Sequence, residues 1–259
     1  MDELPEDKKS EAGGDIEDGL EPASKIIEAV EITDRDVAIF KLAHEHRYLA
    51  YGQIREAFWK GRSEPAKACY RRIERLVNSG YLRKGYSKKK SLDIYFITEK
   101  ALVILRERGF DSGISLYEPT KDFDRSIDHD LKVISVRILF RGLGLDSWTS
   151  ERLLRARDHL HSIPDGVLNI RGKRIAIEFE NHLTKSMERY QELFHHYGEQ
   201  ENYLVLLVIV DGDTKDWLVR ALDYNAKRIW MTTYHELIND REEALFENKR
   251  ASFKLSRLL

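Results

Sequence analysis

From Thr33 to Asn78 the apolar positions recur at steps of three and four residues, the spacing of helices that bury one side. Thr33 is a good N-cap, and Val37, Ile39, Phe40 and Leu42 predict a first helix over about 33–45. Tyr51, Ile54, Ala57 and Phe58 predict a short second helix, broken by Gly61-Arg-Ser63. Ser63 can cap the next helix, with Pro65 in its first turn, where a missing N–H costs nothing. Over Pro65–Asn78 the residues Ala66, Cys69, Ile73, Leu76 and Val77 fall on one face, and Gly80 ends the helix. The pattern then shortens to strands over Tyr81–Tyr86 and Leu92–Ile97, joined by Ser87-Lys-Lys-Lys-Ser91. Thr98 caps a closing helix that runs to Arg108. Three helices, a hairpin and a further helix predict a winged helix-turn-helix over 32–109.

A polar connector over 110–126 leads into a helix over His129–Leu143, where Leu131, Ile134, Ile138 and Leu139 share a face. Short apolar runs follow at Val167–Ile170, Arg174–Phe179, Tyr203–Val210 and Ile229–Thr233, with helical spacing at Glu188–Tyr197 and Lys215–Ala226. The expectation for 127–259 is an α/β domain with a small central mixed sheet.

Charge sharpens this division. The formal net charge is only −2, but residues 1–31 carry 11 Asp and Glu against 3 Lys, and residues 41–90 carry 14 Lys and Arg against 4 Glu. The first segment is expected to be disordered, because it has almost no large apolar residue before Ile26. The second makes a field suited to a polyanion. Lys67, Arg71 and Arg75 lie four apart opposite the apolar face of the third helix, and Lys88, Lys89 and Lys90 form the hairpin tip. Both predict contacts with double-stranded DNA. Whether the acidic segment masks this basic face is left open by composition. A single cysteine, Cys69, excludes an internal disulfide and falls on the apolar face, where it reads as a small core residue. No apolar run approaches a membrane span, and Met1–Glu6 are acidic where a signal peptide would be basic, so a soluble, cytoplasmic protein is expected.

The candidate chemistry lies in the second half. Pro164-Asp165-Gly166 opens one strand, and a tight Arg171-Gly-Lys173 turn leads to the next, which contains Ile177-Glu178-Phe179-Glu180. Alternate side chains of a strand share a face, so Glu178 and Glu180 point the same way, and Asp165 can join them from the neighbouring strand. Three converging carboxylates would suit a hard divalent cation, Mg²⁺ or Mn²⁺, which lowers the pKa of bound water for phosphodiester hydrolysis. Glu151 is a further carboxylate candidate from a preceding strand. His159 and His161 read as loop residues, for no third ligand has a suitable spacing. No P-loop, Gly-rich dinucleotide fingerprint or Gly-x-Ser-x-Gly elbow is present.

The chain from about 33 to 240 resembles the replication-relaxation family of plasmids and mobile elements, whose members join a winged helix to a PD-(D/E)xK-like domain. The strings that carry the resemblance are Thr33-Asp-Arg-Asp36, Arg72-Ile-Glu-Arg-Leu-Val77, Asp93-Ile-Tyr-Phe-Ile-Thr98, His129-Asp-Leu131, Pro164-Asp165-Gly166 and Ile177-Glu-Phe-Glu180, with Lys185 and Tyr190 downstream. The resemblance implies metal-holding roles for Asp165 and Glu178. Glu180 stands where that nuclease type carries a water-orienting lysine, and Lys185 is the candidate to supply it. Two functions are expected to compete: a Mg²⁺- or Mn²⁺-dependent DNA endonuclease or nickase, and a catalytically inactive DNA-binding regulator or scaffold of a mobile element. A protein-binding adaptor is a third class. A second copy of the chain and other mobile-element proteins are the partners considered besides DNA.

Overall fold

Thr33 opens the first helix through a reciprocal capping box, its backbone N–H donating to the Asp36 carboxylate at 2.8 Å while the Asp36 N–H donates to the Thr33 hydroxyl. The computed structural model describes residues 30–59, 66–120, 123–157, 162–181, 186–197, 203–209, 212–221 and 228–259. Helix α1 (Asp34–His46) is followed by a two-residue strand, β1 (Leu49–Ala50), then by α2 (Tyr51–Trp59) and α3 (Ala66–Asn78). The proposed cap Ser63 lies outside the described residues. Gly80, at φ +73°, ends α3 as expected. Strands β2 (Leu82–Ser87) and β3 (Leu92–Ile97) form an antiparallel hairpin, and β1 adds to its β3 edge.

One detail at the next helix, α4 (Glu99–Glu107), differs from expectation. The Thr98 hydroxyl makes no capping bond to α4; it donates to the carbonyl of Gly80 at 2.6 Å. The residue therefore ties the end of α3 to the end of β3. Cys69 is fully buried among Ile39, Phe40, Ile73 and Leu76, as a core residue.

Helix α5 (Phe123–Gly142) begins six residues before the expected start at His129, because Phe123 and Ile127 continue its apolar face. It serves two cores at once. Ile134 and Ile138 pack among the residues of α1 to α4, while Val133, Val136, Leu139 and Phe140 pack on the sheet of the second half. Burying each such side chain contributes about 1.5–3 kcal/mol.

The second half runs β4 (Trp148–Ser150), α6 (Glu151–Arg157), β5 (Gly166–Ile170), β6 (Lys173–Glu180), α7 (Met187–His195), β7 (Leu204–Ile209), α8 (Gly212–Ala221), β8 (Ile229–Thr233), α9 (Tyr234–Asp240), β9 (Leu245–Glu247) and β10 (Ser252–Lys254). The sheet order is β10-β9-β8-β7-β6-β5-β4, with β6, β7 and β8 parallel and the outer pairs antiparallel. The fold is thus mixed α/β, and its sheet is wider than expected by three short strands at its margins. Arg171 and Gly172, with φ of +50° and +77°, make the tight turn between β5 and β6. Among the described residues no helix is long and apolar enough to cross a membrane.

Candidate functional site

Strand β6 alternates as its sequence requires. Ile175, Ile177 and Phe179 enter the core beneath α5 and α9, whereas Ala176 joins the core on the other face, with Tyr190 and Tyr197. Glu178 and Glu180 lie on that second face, 8% and 6% exposed. The Tyr197 hydroxyl donates to Glu178 Oε1 at 2.5 Å. Burial and the Glu178 carboxylate push the Tyr197 phenol well above its usual range, and burial with Glu180 does the same to Tyr190.

Asp165 immediately precedes β5, which pairs Gly166 with Ile177. Its side chain is committed elsewhere. Oδ2 accepts the Phe179 backbone N–H at 2.8 Å and lies 3.3 Å from His129 Nε2, on α5. Asp165 is therefore engaged toward α5, and Glu178 toward the tyrosines of the opposite face. Among the described residues no group of three or more His, Cys, Asp or Glu side chains is arranged to hold a metal ion. Lys185 lies outside the described residues. Gly166 has a packing role: a Cβ there would stand 2.1 Å from the Trp148 ring, so only glycine lets that indole close over the strand beside Asp165.

The residue that organises this region is His129, part of the His129-Asp-Leu131 string, to which the sequence alone assigns no role. Its Nδ1 is 3.5 Å from Asp130 Oδ1, and its Nε2 also lies 3.2 Å from the Phe179 carbonyl. Burial opposes its charge, but hydrogen bonds to Asp130 and Asp165 outweigh that and raise its pKa to about 11. It is an imidazolium at neutral pH. Asp130 is itself buried and accepts from the Tyr48 hydroxyl at 2.8 Å, Ser126 at 3.1 Å and Arg47 at 3.3 Å. Arg47 also reaches Glu151 at 3.3 Å. Glu151 starts helix α6 instead of lying on a strand, and it faces Arg47 and Arg155. A cavity of about 20 Å³, room for one water molecule, is lined by Glu45, His46, Arg47, His129, Asp130 and Asp165 among others.

Arg47 holds this position at a conformational cost. Its φ of 78° and ψ of −46° lie near the rare γ-turn region, where a side chain is strained. Replacing Arg47 with Ala removes both ion pairs and keeps the strain, whereas Gly removes the pairs and releases it. Arg47→Gly is accordingly expected to be more stable than Arg47→Ala by about 1 kcal/mol in urea denaturation; equal stabilities would show that the backbone relaxes freely.

The basic residues divide into two classes. Lys67, Arg71 and Arg75 are exposed on one face of α3, and none is paired with another described residue. Arg72, beside them, is bound to Asp36, with Nε at 2.9 Å from Oδ1. At the hairpin, Arg83 meets Glu118, Lys84 meets Asp93, and the tip bends onto α5. Lys90 pairs with Asp128, and the Lys89 ammonium lies 3.4 Å from the Arg125 carbonyl, while Lys88 is exposed. Burial pushes the Asp128 carboxyl up, but Lys90, Asn181 and Lys132 together hold it well below the usual carboxylate range. The hairpin tip is thus linked to the start of the helix that carries His129 and Asp130.

Residues 40–209, 170 of the chain's 259, match the family model described as replication-relaxation. No curated protein and no solved structure gives a match.

Proposed function

The chain belongs to the replication-relaxation family, and from that premise we propose that it binds double-stranded DNA in the replication or relaxation of a plasmid or other mobile element. In this reading residues 32–109 are a winged helix that grips the duplex, and the α/β half is a PD-(D/E)xK-like scaffold. The observation that carries it is the outer face of α3, where Lys67, Arg71 and Arg75 stand exposed while Arg72, Arg83, Lys84 and Lys90 are each paired with a carboxylate. Exposed cations at four-residue steps suit phosphates along one groove. Each phosphate contact releases counterions, so changing all three residues to Ala should reduce the slope of log K against log salt by about 2.7. Affinity at low salt should fall on the order of a hundredfold. Fluorescence anisotropy with a labelled duplex measures both, and wild-type binding by the triple variant would reject the reading.

A second reading makes the α/β half a Mg²⁺- or Mn²⁺-dependent deoxyribonuclease centred on Asp165, Glu178 and Glu180. It is favoured by two carboxylates sharing one face of the buried run Ile175–Glu180 next to Asp165. Their oxygen donors match such an ion in chemistry. They do not fit it in arrangement: among the described residues no three such groups converge, with Asp165 turned to His129 and the Phe179 N–H and Glu178 to Tyr197. The scaffold reading is therefore preferred. Supercoiled plasmid incubated with Mg²⁺ or Mn²⁺ separates the two: cutting by the wild type that is lost in Asp165→Ala establishes the nuclease, and no cutting by either protein leaves the scaffold.

A further inference from the structure

The first described residues run along the flank of the basic face. Val30 and Ile32 pack against the core of the N-terminal half, and Arg72 donates to the Glu31 carbonyl at 2.7 Å. Arg72 adjoins Arg71 in α3 and lies one helical turn from Arg75. The chain preceding Val30 is therefore tethered next to the exposed cations. That preceding stretch, residues 1–29, holds ten Asp and Glu against three Lys. α3 is only about 20 Å long, a span that six or seven extended residues cover. Tethering raises the local concentration of these carboxylates into the range of about a millimolar or more.

We propose that the acidic segment of residues 1–29 docks on the outer face of α3, against Lys67, Arg71 and Arg75, and that duplex DNA must displace it. The inference rests on the reading of that face as the DNA-binding surface. Its physical basis is competition between two polyanions for one set of cations, so the covered state is favoured at low salt and screened away at high salt. A segment that covers the face about nine-tenths of the time lowers the apparent DNA affinity about tenfold. It also discriminates: a duplex that engages only a few phosphates fails to displace it, whereas a full site succeeds.

The test uses the full chain. Zero-length carbodiimide coupling at low salt, read by mass spectrometry, should join Lys67 to carboxylates of residues 1–29, and a short duplex or high salt should abolish the product. In parallel, a variant with all ten acids of residues 1–29 exchanged for Asn or Gln should bind duplex about tenfold more tightly than the wild type. That gain should vanish when Lys67, Arg71 and Arg75 are also Ala. Absence of the Lys67 product, or an equal gain in the triple-Ala background, overturns the docking. Wild-type DNA affinity in the triple-Ala variant would instead overturn the DNA reading, while the cross-link would still report on docking.

Discussion

Asp130→Ala is expected to destabilise the protein by about 3–5 kcal/mol, the cost of breaking a buried ion pair by removing one partner. Asp130 is 8% exposed and accepts from Arg47, Tyr48 and Ser126, and it faces His129. The variant leaves a guanidinium, an imidazolium and a buried phenol without their common acceptor. These groups belong to both halves of the chain, so the loss is not confined to one of them. Burial pushes the Asp130 carboxyl up, but His129, Arg47 and Tyr48 hold it below its usual value. Asp130→Asn, which keeps an oxygen for Tyr48 and Ser126 but no charge, should fall between wild type and Ala. Urea denaturation gives all three values. A loss under about 1 kcal/mol for Asp130→Ala would mean that the cluster contributes no more than a surface pair.

The second large effect is on pH dependence. His129 has its pKa raised from 6.5 to about 11, so the folded state holds a proton that the unfolded state releases. Its contribution is complete below about pH 6.5 and is lost as pH rises toward 11. Within that window stability should fall by up to about 1.4 kcal/mol per pH unit on account of this one group. Solvent reaching the ring, which is one-third exposed, moderates the slope. His44 and His46 behave oppositely. Burial, aided by Arg152 for His44 and Arg137 for His46, lowers their pKa values to about 4 and about 3. Their contributions are complete above about pH 6.5 and are lost on acidification below it. His129→Gln should therefore flatten the alkaline side of the stability profile between pH 7 and 10, and it should also make the acid side shallower, because the imidazolium no longer holds the Asp130 carboxyl down. An alkaline side as steep as the wild type's would sink the assignment of that proton to His129.

What the sequence disclosed was local and periodic. The three-and-four spacing of Cys69, Ile73 and Leu76 located α3 and put Lys67, Arg71 and Arg75 on its outer side. The two-residue period put Glu178 and Glu180 together on one face. What stayed hidden depends on long-range partners. Asp130 meets Arg47 across 83 residues, and Asp165 meets a histidine from a helix that precedes it. The Lys90–Asp128 pair ties the hairpin tip to α5, a link that a run of three exposed lysines does not announce. Pro164-Asp165-Gly166 reads only as the opening of a strand, but its glycine answers to the Trp148 ring. The His-Asp pair at 129–130 was the available signal: a titratable ring followed by a carboxylate inside an otherwise amphipathic helix.

Because α5 presents Ile134 and Ile138 to one hydrophobic interior and Val136 and Phe140 to the other, cutting the chain before that helix strips the N-terminal interior of part of its lining and bares the same side chains on the remaining piece. A fragment ending near residue 120 would carry an open socket, and its remainder an uncovered greasy stripe. Heating the intact molecule should accordingly give a single calorimetric peak, and limited proteolysis should not release a trimmed N-terminal piece that persists by itself.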